Sequence, residues 1–112
     1  MSKYGNKKIR LDGMVFDSKH EAIRWLALRN MENAGLIMDL RRQVPYELIP
    51  VQKSPETGKV IERSCKYIAD FVYYNPVTNK TVVEDAKGIK TDVYKIKKKL
   101  MLERYGVEIK EV

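Results

Sequence analysis

Lys66-Tyr-Ile-Ala-Asp-Phe-Val-Tyr-Tyr74 and Thr81-Val-Val-Glu-Asp-Ala-Lys-Gly88, separated by Asn75-Pro-Val-Thr-Asn-Lys80, decide how this chain folds. Both runs are rich in β-branched and aromatic residues, and the six between them are turn formers, so they read as two strands of a hairpin. Side chains alternate faces along a strand. Asp70 therefore shares a face with Ile68 and Val72, and Asp85 and Lys87 share one with Thr81 and Val83. In a suitable register Asp70, Asp85 and Lys87 meet at one end of a small sheet. Two carboxylates and an ammonium are costly to gather without a purpose. A hard divalent cation would supply one, because Mg²⁺ takes one or two carboxylates and leaves positions for water and phosphate.

Outward from this hairpin, the preceding chain supplies a helix and a further strand. Asp12-Gly13, between short apolar runs in Lys8 to Phe16, is a hairpin signal. Ser18 and Glu21 have the spacing of a capping box, with Phe16 as a hydrophobic staple, and Ala34-Gly35 supplies the stop. Between them Ala22, Ile23, Trp25, Leu26, Ala27, Leu28 and Met31 predict a wide buried stripe. Glu21 lies on the inward edge of that stripe: it caps its helix, aims a third carboxylate at the strand cluster, or does both. His20, the sole histidine, reads as a surface residue at the helix start. Leu36 to Arg42 reads as a basic linker, Val44 to Pro50 as an edge or interrupted strand because of Pro45 and Pro50, and Gln52 to Lys59 as a loop. The next strand begins somewhere from Val60 to Arg63.

After Gly88, Thr91 or Asp92 caps a second helix that runs to about Tyr105 and stops at Gly106. Val93, Ile96, Leu100 and Met101 are its expected buried side. Lys95, Lys97, Lys98 and Lys99 form a basic surface that is either solvated or grips phosphate. Val107 to Val112 alternates as a final strand. The expected architecture is α/β: a single domain over residues 1–112 with an N-terminal β-hairpin and an αβββαβ core, a mixed sheet flanked by helices.

Composition narrows the class. The 112 residues suffice for one modest core, and 44% hydrophobic with 33% charged residues suits a soluble globular protein. No apolar run approaches the roughly 20 residues of a membrane helix, no apolar signal core follows the N-terminal charges, and a cytoplasmic location is expected. Cys65, the single cysteine, excludes an internal disulfide and a cysteine-rich zinc site. Twenty-two Lys and Arg against fifteen Asp and Glu give a net charge of +7, which favours a polyanionic partner over an acidic one.

Phe16-Asp-Ser-Lys-x-Glu21-Ala, Tyr67-x-Ala-Asp70-Phe-Val-Tyr, Val83-Glu-Asp85-Ala-Lys87-Gly88 and Thr91-x-x-Tyr-x-x-Lys97-Lys-Lys-Leu-Met occur in the same order as a nuclease core. Together they resemble the PD-(D/E)XK nuclease superfamily, and within it small phage and prophage members, the junction-resolving endonuclease I of phages and TnsA-type transposon-end nucleases. The resemblance implies a restriction-endonuclease-like fold and a metal-dependent DNA endonuclease, encoded by a phage or prophage and acting in the bacterial host cytoplasm. Asp70 would be the principal metal ligand and Asp85 the second, with Glu21 as the helix carboxylate and Mg²⁺ or Mn²⁺ as the ion. Lys87 would orient the attacking water, and Gln43 would be an accessory residue. Ala69 stands where relatives often carry proline. Glu84 points to the opposite face and reads as structural. Lys90, Lys95, Lys98, Lys99, Arg41 and Arg42 are the candidate DNA contacts. Branched, Holliday-junction-like DNA is the expected substrate, in replication or recombination. Paired cuts call for a homodimer, and no small-molecule cofactor is expected. The competing expectation is a catalytically inactive nucleic-acid-binding module on the same scaffold.

Overall fold

Asp12 and Gly13, at φ 52° and 74°, turn the chain between β1 (Ile9–Leu11) and β2 (Met14–Phe16). Consecutive left-handed residues are what a two-residue hairpin of matching twist requires, and Asp-Gly meets that demand. The computed structural model describes residues 8–86 and 90–112; Lys87 therefore lies outside the described residues. The Ser18 side chain caps α1 (Lys19–Asn33), accepting from the Glu21 backbone N–H at 3.1 Å. Gly35 ends it: at φ 78° its N–H donates to Glu32 O at 3.0 Å and that of Leu36 to Met31 O at 2.9 Å. The buried stripe is narrower than expected, comprising Glu21, Ala22, Trp25 and Leu28, while Ile23 and Leu26 are exposed.

The stretch expected to be a basic linker is instead the start of β3 (Met38–Ile49). Leu40, Arg42, Val44, Tyr46 and Leu48 are its more buried positions. An arginine breaks the apolar alternation on paper, but the Arg42 guanidinium lies 4.2 Å from the Phe16 ring centroid, so its stem packs as an apolar group. Pro45 is tolerated because β3 is an edge strand. The expected loop after it holds a second ribbon, β4 (Gln52–Lys53) with β5 (Val60–Glu62), and the central strand β6 begins at Cys65, later than expected.

β6 (Cys65–Asn75) and β7 (Lys80–Asp85) form the predicted hairpin, their turn started by Asn75 Oδ1 accepting from the Val77 N–H at 2.9 Å. Thr91 caps α2 (Asp92–Tyr105), and Gly106 at φ 66° ends it. The final strand, β8, is only Lys110–Glu111 and runs parallel to β7. The four-stranded sheet has order β3-β6-β7-β8, antiparallel apart from β7–β8, which gives the mixed sheet and the αβββαβ order. Phe71 and Tyr73 pack with Trp25 of α1, whereas Val72 packs with Met101 of α2, so the helices cover opposite faces. Among the described residues, no helix is long and apolar enough to cross a membrane.

The buried side of α2 also differs from the expectation. Val93 and Ile96 are 61% and 58% exposed, and the inward line is Tyr94 and Met101, with Leu100 beside it. Tyr94 takes that place because its ring sits beside Tyr67 (centroids 6.5 Å apart) while its hydroxyl reaches Glu111 at 2.7 Å. An aromatic ring with a satisfied polar tip outcompetes two smaller aliphatic residues for the sheet.

Candidate active site

The hairpin register brings the two aspartates together. Phe71 pairs with Glu84, and one further step along β6 and β7 sets Asp70 across from Asp85. Both are buried, Asp85 almost completely. Asp70 Oδ2 accepts from the Ala86 N–H at 2.8 Å, so the backbone just beyond β7 ties the two strands at this end. Asp85 Oδ2 accepts from the Tyr67 hydroxyl at 2.7 Å. Burial and the neighbouring carboxylates, Asp85 foremost, push the Tyr67 hydroxyl far above its ordinary value, so it stays a donor.

Glu21 joins them from α1. Its backbone N–H donates to Ser18 Oγ, while its carboxylate turns away from the cap toward β3. Glu21 Oε1 accepts from Arg42 at 3.3 Å and lies 3.5 Å from Gln43 Nε2, which is also 3.5 Å from Asp70 Oδ1. One amide thus spans a helix carboxylate and a strand carboxylate. Gln43 reaches them from a left-handed backbone at φ 55°, between the ladder pairs Arg42–Phe71 and Val44–Ala69. That conformation costs a non-glycine residue about 1–3 kcal/mol and persists only where its surroundings impose it. Burial raises the Glu21 carboxyl above the ordinary range; Asp70 and then Asp17 add to this, and Arg42 opposes it. Among the described residues, no three His, Cys, Asp or Glu side chains are grouped closely enough to hold a metal ion. Among the described residues, the buried Arg42 Nε meets no hydrogen-bond partner.

The chain matches the family model of a protein of unknown function, DUF1064, over residues 1–111. It belongs to the DUF1064 family. No curated protein and no solved structure matches it.

Around this site the DUF1064 chain arranges its expected DNA contacts unequally. Lys95 and Lys99 are exposed on α2. Lys90 and Lys98 are paired with Glu111, at 3.0 and 3.4 Å, and with the Tyr94 hydroxyl they hold that carboxyl down to about 2. Arg41 pairs with Asp39 at 3.5 Å on the surface, whereas Arg42 turns inward to Val15 O and Glu21. His20 is exposed, with Nε2 2.8 Å from Val112 O.

Glu84 occupies the other face, as alternation requires. It is fully buried and bound by Arg24 through both oxygens, at 2.8 and 2.6 Å, with the Tyr73 hydroxyl also donating to it. The sequence motifs contain Tyr67 and Tyr94 but assign neither a role, and Arg24 carries no motif signal. Spacing does not announce Tyr67 either: it stands three residues before Asp70, an odd interval that strict alternation puts on the other face.

Proposed function

We propose that this DUF1064 protein is a divalent-metal-dependent DNA endonuclease that hydrolyses phosphodiester bonds. The observation that carries the proposal is the meeting of Glu21 and Asp70, from a helix and a strand, on the single amide of Gln43, with Asp85 across from Asp70 in the register. The resemblance to PD-(D/E)XK nucleases and the net charge of +7 support it. The donor set fits a hard ion: it is all oxygen, and Mg²⁺ needs only one or two carboxylates because it keeps several waters. Asp70 and Asp85 would hold Mg²⁺ or Mn²⁺, and Glu21 would reach it through water. The bound ion would supply Lewis-acid activation of water and charge neutralisation at the phosphate. Gln43 holds Glu21 beside Asp70 despite their mutual repulsion, and Tyr67 fixes the Asp85 carboxylate by donating to it. The resemblance gives Lys87 the task of orienting the attacking water.

Branched DNA, a homodimeric assembly and action in the host cytoplasm of a phage or prophage are the finer parts of this proposal, and they rest on the resemblance. A cleavage panel of four-way junctions, forks, duplex and single strands with Mg²⁺ or Mn²⁺ tests it. Cutting of at least one substrate, abolished by Asp70→Ala and by Lys87→Ala, is expected; no cutting of any of them refutes it. A second reading, an inactive binding module, is favoured by the lack of a metal-sized group of three ligands among the described residues. It predicts salt-sensitive DNA binding that is indifferent to metal and to Asp85→Asn.

A further inference from the structure

Thr91, Tyr94 and Lys97, spaced three apart at the start of α2, line one side of an open cleft of about 160 Å³. Tyr67, Ile68 and Val93 line the rest. Each of the three motif residues is tied to the cleft in a different way. The Thr91 hydroxyl accepts from the Tyr94 N–H at 3.1 Å and so starts the helix there. Tyr94 is buried beside Tyr67, whose hydroxyl donates to Asp85, so the cleft adjoins the candidate active site. Among the described residues, Lys97 is the cleft's only charged lining residue. Ile68 and Val93 are 41% and 61% exposed, an apolar pair left open beside a lysine-bearing helix.

We infer that this cleft seats one nucleotide of the DNA strand next to the phosphate being cut, with Lys97 on a backbone phosphate and Ile68 and Val93 against the sugar or base. This rests on the nuclease proposal and specifies how its substrate is held. Size decides the ligand class. Sites that enclose a drug-sized molecule run to roughly 300–1,000 Å³, so a cleft of about 160 Å³ suits one unit of a polymer whose remainder lies outside. Charge agrees, since Lys97 brings a cation to the cleft lining. A neutral small molecule would have no use for that cation.

Binding of a fluorescein-labelled 20-base-pair duplex by the full chain, with Ca²⁺ replacing Mg²⁺ and across a salt series, tests the inference. Lys97→Ala is expected to weaken binding about fivefold and to flatten the log–log salt slope by about one, the loss of one phosphate contact. Lys97→Arg restores both, and Lys53→Ala on the distant β4–β5 ribbon changes neither. In methyl NMR of the unsubstituted protein, the Ile68 and Val93 signals shift on titration with the same duplex, which reads the cleft without any variant. Duplex bound by the wild type with an unchanged slope in Lys97→Ala, or with unmoved Ile68 and Val93 methyls, overturns the cleft assignment alone. No binding by the wild type of duplex, four-way junction, fork or single strand at any salt overturns the nuclease proposal and the cleft with it.

Discussion

Glu84 and Asp85 are consecutive residues of β7, both buried, and the two faces of the sheet treat them in opposite ways. On the α1 face Glu84 meets a full complement: a bidentate Arg24 and the Tyr73 hydroxyl. On the other, Asp85 takes the Tyr67 hydroxyl, while Asp70 shares one amide at 3.5 Å with Glu21 of α1. A carboxylate matched by a guanidinium is built for stability, because removing either partner strands the other charge. Carboxylates gathered so that burial and Asp70 raise Glu21 even against Arg42 are held at a cost, and that cost is the mark of a site. Arg24 sits one helical turn beyond Glu21, so α1 serves both arrangements from the same end.

The contrast breaks first at Asp85. Asp85→Asn is expected to reduce Mg²⁺-dependent DNA cleavage at least 100-fold in a gel assay while the protein still unfolds cooperatively near the wild-type midpoint. Glu84→Ala should do the reverse and cost about 2–3 kcal/mol in chemical denaturation, because the half-buried Arg24 and the Tyr73 hydroxyl lose their acceptor. Equal losses of stability in the two variants would erase the distinction. Glu21→Gln sharpens it: at pH 7 in EDTA the melting midpoint should rise by about 2–4 °C, since a carboxyl raised by burial and Asp70 destabilises the fold when ionised. The sign follows from the direction: a raised acid costs stability above its ordinary value, and acidification through that range relieves the cost. The smallest effect is at Glu111, whose carboxyl is lowered to about 2. Its contribution is present above the ordinary carboxylate value near 4.5 and is lost as pH falls toward 2. Glu111→Gln should therefore flatten stability against pH between those limits, as read by thermal melts in a buffer series.

Much of this was legible in the chain because local chemistry dictated it. Asp12-Gly13, the Ser18 and Thr91 caps and the Gly35 and Gly106 stops each require one backbone geometry and found it. Alternation placed Glu84 and Asp85 on opposite faces, and the turn at Asn75 fixed the register that sets Asp70 across from Asp85. What escaped were residues with two characters. Arg42 packs its stem on Phe16 and so hid a strand within an apparent linker; Tyr94 displaced Val93 and Ile96 by satisfying its hydroxyl on Glu111. The hydroxyl on Asp85 and the amide across Glu21 and Asp70 depend on pairings between distant segments, which no local pattern encodes. Lys87, named from the resemblance, lies outside the described residues.

β8 is only two residues long, yet the segment it belongs to touches three parts of the molecule. The Val112 N–H donates to Asp85 O at 3.0 Å and its carbonyl meets His20 of α1, while the Glu111 side chain takes Lys98 and Tyr94 of α2. A nascent chain emerging from the ribosome in order therefore lacks this three-way tie until residue 112 has cleared the exit tunnel, whereas Arg24 of α1 can grip Glu84 of β7 before then.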